Sequence, residues 1–241
     1  MAYTGHSEMH HQEHTAVDLL GVDHVALAVA DVGAMTAFLC DGLGLRELAR
    51  TGEGVRIGAG PRAAHLVLRS ADRPREPAAL ARIVLRVGDL QQAVAALPRG
   101  TEVAEEAPDL VTFEAPEGLG MGLALVAGGG IDYDLDHVVL RVADPEETRV
   151  ALAELGCVPR GEALHVADKH IELEELPAFG ERPLLDHIAL RVGSRETLAA
   201  QARRRDLQLT ESLAPDILTV VLPGPEQIRI AFLEPQAAPQ G

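Results

Sequence analysis

Four stretches of this 241-residue chain repeat one pattern: Asp23 to Asp31 (DHVALAVAD), Ala81 to Asp89 (ARIVLRVGD), Asp136 to Asp144 (DHVVLRVAD) and Asp186 to Ser194 (DHIALRVGS). Their second residues, His24, Arg82, His137 and His187, stand 58, 55 and 50 positions apart. Such a period means one supersecondary unit copied four times, which constrains the fold more than any local propensity does. Each stretch is a short strand of β-branched residues and Leu, closed by Asp or Gly-Ser, which suits a helix N-cap. Helical patterns follow over Val32 to Cys40, Leu90 to Leu97, Pro145 to Leu155 and Arg195 to Arg205. Gly at DGLGL and at Leu155-Gly156 marks two helix ends. The rest of each unit is strand-like with turn punctuation, as in VTFEAPEG, LHVAD, KHIELEEL and ILTVVLPGPEQIRIAFLEP. The unit is therefore β-α-β-β-β, shortened in its third copy, and the fold class is α+β.

Pairs of such units can close their small sheets against each other, and neighbours in sequence are the expected pairs. That gives a domain over 18–130 (units one and two) and a second over 131–235 (units three and four). The GGG run at 128–130 serves as the joint, and Ala71 to Ala79 as a second possible one. Residues 1–17, rich in His, have no periodicity and are expected to be disordered. Residues 236–241 are a tail.

With 21 basic and 37 acidic residues the formal net charge is −16, which disfavours nucleic acid and anionic membranes as partners. No stretch approaches the roughly 20 apolar residues of a membrane span, and no secretory signal is evident, so a cytoplasmic location is expected. Two cysteines, Cys40 and Cys157, make no disulfide framework. Without Trp, and with two Tyr and four Phe, any pocket is lined mainly by aliphatic side chains.

Three of the four first strands open on Asp-His. One such histidine alone is more simply a satisfied strand residue. Three of them, at equivalent places that paired repeats bring together, point to metal, for which imidazole is the commonest protein ligand. His137 and His187 would face each other in the second domain. The partner comes from HIELEEL, where His170, Glu172 and Glu174 share one face. Burying Glu172 between Ile171 and Leu173 on a central strand is costly without a cation, whereas Glu174 and Glu175 suit a solvated strand end. His137, Glu172 and His187 form a ligand set for Zn, Ni, Co, Mn or Fe(II). Glu172, His170 and His165 are the candidates for acid–base work. The tail histidines His6, His10, His11 and His14 are given no role. No dinucleotide fingerprint, nucleophile elbow or zinc-protease helix is present.

Over residues 19 to 235, these D-H-x-x-L-x-V-x-D starts and closing strands resemble the vicinal oxygen chelate superfamily. That group includes glyoxalase I, extradiol dioxygenases and the bleomycin resistance proteins. The resemblance implies ligands from the first and last strands of each unit: His137, Glu172 and His187, with Ala231 where a Glu would often stand. In the first domain it aligns His24, His65, Arg82 and Ala124. Arg82 is a fixed cation at a ligand place, so this half reads as a lapsed copy. The implied function is that of a metal-dependent enzyme, glyoxalase-, isomerase- or lyase-like, acting on a small oxygen-bearing substrate. The alternatives are an Fe(II)-dependent extradiol-type dioxygenase and a metal-free, drug-sequestering binding protein. A monomer or a homodimer fits equally.

Overall fold

The computed structural model describes residues 17–52, 54–58, 64–126, 133–176, 180–211 and 217–235. The histidine-rich tail, the GGG run and residues 236–241 lie outside them. Unit one comprises β1 (Leu19–Val29), α1 (Val32–Ala37), β2 (Arg46–Thr51), β3 (Gly54–Gly58) and β4 (His65–Ser70). Unit two comprises β5 (Leu80–Val87), α2 (Leu90–Ala96), β6 (Val103–Ala107), β7 (Leu110–Ala115) and β8 (Leu119–Leu125). In unit three these become β9 (Asp134–Val142), α3 (Pro145–Glu154), β10 (Val158–Arg160), β11 (Ala163–Val166) and β12 (Lys169–Glu175). Unit four is β13 (Leu185–Val192), α4 (Arg195–Arg204), β14 (Gln208–Glu211), β15 (Ile217–Val221) and β16 (Arg229–Leu233). The shortened third copy is real: β10 has three residues.

The expected N-caps form. The side chains of Asp31, Asp89, Asp144 and Ser194 accept from the backbone N–H of Ala34, Gln92, Glu147 and Thr197, each three residues on. Each satisfies a donor the first helical turn leaves open. In unit one the helix widens into a π-turn over Phe38–Gly42 before β2.

The pairing of units differs from the expectation. One eight-stranded sheet runs β14-β15-β16-β13-β1-β4-β3-β2 and the other β10-β11-β12-β9-β5-β8-β7-β6. Unit one therefore shares a sheet with unit four, and unit two with unit three, so a division at residue 130 cuts through both sheets. In each, two first strands meet antiparallel at the centre, β1 on β13 and β5 on β9. Each is flanked by the parallel last strand of its own unit. Four near-identical first strands carry no label for a partner; charged side chains between units supply one. Arg86 of unit two bonds Asp134 at 2.5 Å and Asp168 at 2.7 Å, both of unit three. The Lys169 ammonium, 3% exposed, reaches Asp134 at 2.7 Å. Units one and four are tied by Arg69 and Asp186 at 3.4 Å.

Both sheets contribute to one apolar core, with Val25, Leu27, Leu85, Leu140, Leu190 and Phe232 fully covered. Two acidic side chains tie the sheets together at equivalent places. Glu117 accepts from the backbone N–H groups of Ala30 (3.1 Å) and Asp31 (2.9 Å), and Glu226 accepts from that of Ala143. The segment Ala71 to Ala79 is held rather than free: the N–H of Glu76 donates to the carbonyl of Arg182 and its carbonyl accepts from Leu184.

Candidate metal centres

The regrouping of units divides the three expected ligands. His137 and Glu172 stay together on β9 and β12, while His187 on β13 faces His24 on β1. The proposed trio is thus withdrawn, and each sheet carries a histidine cluster of its own.

In the first sheet the Nε2 atoms of His24 and His187 lie 3.0 Å apart. Both rings are held from behind, His24 Nδ1 by Asp23 at 2.8 Å and His187 Nδ1 by Asp186 at 3.1 Å. Burial disfavours ionisation of Asp23 and Asp186, but the hydrogen bonds from their histidines and the charges of neighbouring histidines and arginines together outweigh it, and both stay below the usual carboxylate range. Burial lowers the pKa of His24, against the pull of Asp23. An ionised Asp at each Nδ1 fixes the N–H there and leaves two unprotonated Nε2 atoms 3.0 Å apart. That contact requires a cation between them, a shared proton or a metal ion. Two nitrogen ligands of one ion at about 2.0–2.1 Å stand roughly 3 Å apart, which the pair matches. His65 stacks on His24 with ring centres 5.1 Å apart, but its Nε2 accepts from Arg56 at 2.9–3.1 Å. The sheet offers no carboxylate at its last-strand places.

Strand register defines those places. Glu172 is opposite Val139 and Ala231 opposite Ala189, two residues beyond the respective histidines. The same step puts Val67 opposite Ala26 and Gly122 opposite Val84. His65 and Ala124 are therefore each two residues out of alignment; His65 is the counterpart of His170, and each stands beside its first-strand histidine. Sequence similarity between closing strands has no such ruler.

In the second sheet Asp136 holds His137 Nδ1 at 2.7 Å, leaving Nε2 directed at Glu172 Oε2, 3.8 Å away. His170 Nε2 reaches the other oxygen, Oε1, at 3.2 Å. The rings of His137 and His170 stack at 4.4 Å, tilted by 21°, and His165 stacks on the far side of His170 at 5.2 Å. The hydrogen bond from His170, with the nearby His137 and Arg82, holds Glu172 below the usual carboxylate range despite partial burial. Asp136 is lowered likewise: burial pushes it up, and the bond to His137 with the nearby His137, His170 and Arg86 charges together outweighs that. Burial and the neighbouring His170 lower His165. The Glu172 side chain is 41% exposed, so desolvation is a weaker argument for a cation than its position on β12 suggested. Glu174 is not simply solvated: it bonds Arg82 at 2.8 Å and lies 3.8 Å from Arg141. Arg82 also bonds Glu106 at 2.5 Å, so its charge is balanced by two carboxylates. The Arg82 strand turns out to be the partner of the His137 strand, not of the His24 strand.

A cavity of about 570 Å³ opens on the unit-two half of the same sheet, and His137, His165, His170 and Glu172 do not line it. Its walls include Arg82, Arg141, Thr112, Phe113, Gly120 and Met121. The ligand types in the second sheet, imidazole and carboxylate, suit a divalent ion with positions left for substrate. Those in the first sheet suit an ion less well, because Arg56 occupies His65 and the carboxylates of Asp23 and Asp186 are taken up by the Nδ1 atoms of His24 and His187.

Comparison with known proteins places these sheets. The described fold is similar to glyoxalase I from Zea mays at TM-score 0.67 and 15% identity, covering 91% of this chain and 92% of that one. A Bacillus subtilis subsp. subtilis str. 168 protein described as a candidate dioxygenase aligns at TM-score 0.70 and 15% identity, covering 92% and 87%. The cppA protein of Streptococcus pneumoniae TIGR4 aligns at 0.63 and 15%, covering 91% of this chain and all of its own. No curated protein matches the sequence. Among the described residues no helix is long and apolar enough to cross a membrane. Residues 21–114 match the Glyoxalase/Bleomycin resistance protein/Dioxygenase superfamily, and the described chain as a whole has the paired-module fold of glyoxalase I.

Proposed function

We propose that the chain is a metal-dependent enzyme of the vicinal oxygen chelate type whose working centre lies in the second sheet, on His137 and Glu172. The observation that carries this is the approach of His137 Nε2 to Glu172 at 3.8 Å, with Asp136 fixing the imidazole from behind. A divalent ion held there supplies Lewis-acid stabilisation of negative charge developing on a substrate oxygen.

The chain's own groups supply the rest. Asp136 keeps the His137 N–H at Nδ1, so the Nε2 lone pair is the one presented. His170 bonds one oxygen of Glu172 and orients the other, and it is the titratable group placed to carry a proton to or from a bound substrate. Arg82, fixed by Glu106 and Glu174, gives the cavity wall a positive group that cannot move without breaking two ion pairs. The few aromatic rings of the chain suit a compact, oxygen-bearing substrate.

Non-oxidative chemistry, of the isomerase or lyase kind, is the reading adopted. Oxygenation is the second reading, because imidazole and carboxylate are also the donor types of non-haem Fe(II) oxygenases. The test is metal content of purified chain with and without added Zn, Ni, Co, Mn or Fe(II), followed by turnover of enolisable substrates and of catechols with oxygen uptake recorded. His137→Ala and Glu172→Gln are expected to lose one equivalent of metal and all turnover. Equal metal content in wild type and both variants would refute the assignment.

A further inference from the structure

The two sheets differ in charge at equivalent places. In unit three, Glu172 stands opposite Val139 and Glu174 opposite Arg141. The same places in unit one are Val67, opposite Ala26, and Arg69, opposite Ala28. In unit four they are Ala231, opposite Ala189, and Leu233, opposite Arg191. Where the second sheet has two carboxylates, the first has none and a guanidinium instead. Asp23 and Asp186 remain beside its histidines, each bound to a ring Nδ1. Asp186 also meets Arg229 of β16 at 2.8 Å and Arg69 of β4 at 3.4 Å, so one carboxylate faces two arginines and an imidazole. Arg56 reaches in from β3, onto His65. Arg191 adds its charge near Asp23. Four arginines thus stand against two aspartates, a positive patch on a chain whose formal net charge is −16.

We propose that the first sheet is an anion site, in which Arg56, Arg69 and Arg229 around the His24–His187 pair hold a phosphate group, either free phosphate or the phosphate of a small molecule. The cation that the 3.0 Å contact between the two imidazoles requires is here a shared proton, which adds one more positive charge to the patch. Guanidinium groups bind oxyanions through short, charge-assisted hydrogen bonds. A planar carboxylate is satisfied by one guanidinium fork, and Asp186 already plays that part for Arg229. Donors arriving from three different strands, β3, β4 and β16, suit the tetrahedral set of oxygens on a phosphate instead. The side chains of Arg69 and Arg229 are 46% and 49% exposed, so an anion in solution reaches both. This site is separate from the metal assigned to the second sheet and does not depend on it.

The test is equilibrium dialysis of the full, untagged chain against inorganic phosphate, glycerol 3-phosphate and acetate at fixed ionic strength, once with EDTA and once with Mn(II). The expected result is saturable binding of one phosphate group per chain, equal in both media, with acetate at least about tenfold weaker. Tighter binding of glycerol 3-phosphate assigns the site to a phosphate ester, and tighter binding of inorganic phosphate assigns it to the free ion; either upholds the proposal. Arg69→Gln and Arg229→Gln, both at exposed positions, are expected to keep the wild-type melt and to weaken phosphate binding at least about tenfold each. His137→Ala is expected to leave phosphate binding unchanged, so the anion site and the metal centre are judged separately. The proposal is overturned by the absence of saturable phosphate binding up to about 10 mM. Acetate bound as tightly as phosphate, affinity unchanged in both arginine variants, or binding that appears only with Mn(II) overturns it equally.

Discussion

Replacing Asp134 by Asn puts the pairing of units two and three under direct strain. The carboxylate is 1% exposed and takes hydrogen bonds from Lys169, 3% exposed, and from Arg86, 12% exposed. Arg86 stands on β5 and Asp134 on β9, so the contact exists only if those units share a sheet. Removing one member of a buried ion network leaves uncompensated charge and costs about 3–5 kcal/mol. Asp168, which is 44% exposed, still serves Lys169 at 3.2 Å and Arg86 at 2.7 Å, so the lower end, about 3 kcal/mol, is expected. For a chain of this length that is a fall of roughly 6–12 °C in Tm. Lys169→Met removes one of the stranded cations, so the double variant is expected to recover about 1–2 kcal/mol relative to additivity. The assay is urea unfolding, with the midpoint moving and the slope unchanged. A loss below about 1 kcal/mol for Asp134→Asn, or strict additivity in the cycle, would refute the reasoning.

Other outcomes follow from particular contacts. Glu117→Ala deprives the N–H groups of Ala30 and Asp31 of their acceptor; a loss of about 1–3 kcal/mol is expected by chemical denaturation, and an unchanged midpoint would contradict the cap. Gly120→Ala would place a methyl 2.1 Å from the carbonyl oxygen of Ala81. The parallel pair β5–β8 must then shift, so a lower Tm and a distorted cavity are expected; a wild-type melt would show the approach to be looser than described. Burial pushes the Cys157 thiol up to about 12, whereas Cys40 is part-exposed and raised by its partial burial and by the neighbouring Glu47 and Asp41. Native protein at pH 8 should therefore expose one slow-reacting thiol to a disulfide reagent and unfolded protein two. Rapid reaction of both thiols in the native state would argue against the packing around Cys157.

Much of the architecture was legible because it is local. The period of the Asp-His starts, the caps at Asp31, Asp89, Asp144 and Ser194, and the shortened third unit all depend on residues a few positions apart. Which unit pairs with which was not legible in that way. The four first strands are interchangeable in pattern, and the partner is selected by long-range pairs such as Arg86 with Asp134 and Arg82 with Glu174. Oppositely charged residues at the ends of non-neighbouring units are a signal that could have been sought. The site followed the same division. His137 and Glu172 belong to one unit and came out together, whereas His187 was assigned to them through an assumed pairing and instead meets His24. The closing strands were read two residues out of step in units one and two, because an alternating apolar pattern is unchanged by a shift of two.

Anomalous diffraction from crystals soaked in Mn(II) or Zn(II) tests the central assignment most directly. An ion at about 2.0–2.2 Å from His137 Nε2 and from a Glu172 oxygen, fading in His137→Ala crystals, is the predicted result. Anomalous density confined to the His24–His187 pair, with none beside Glu172, would contradict it.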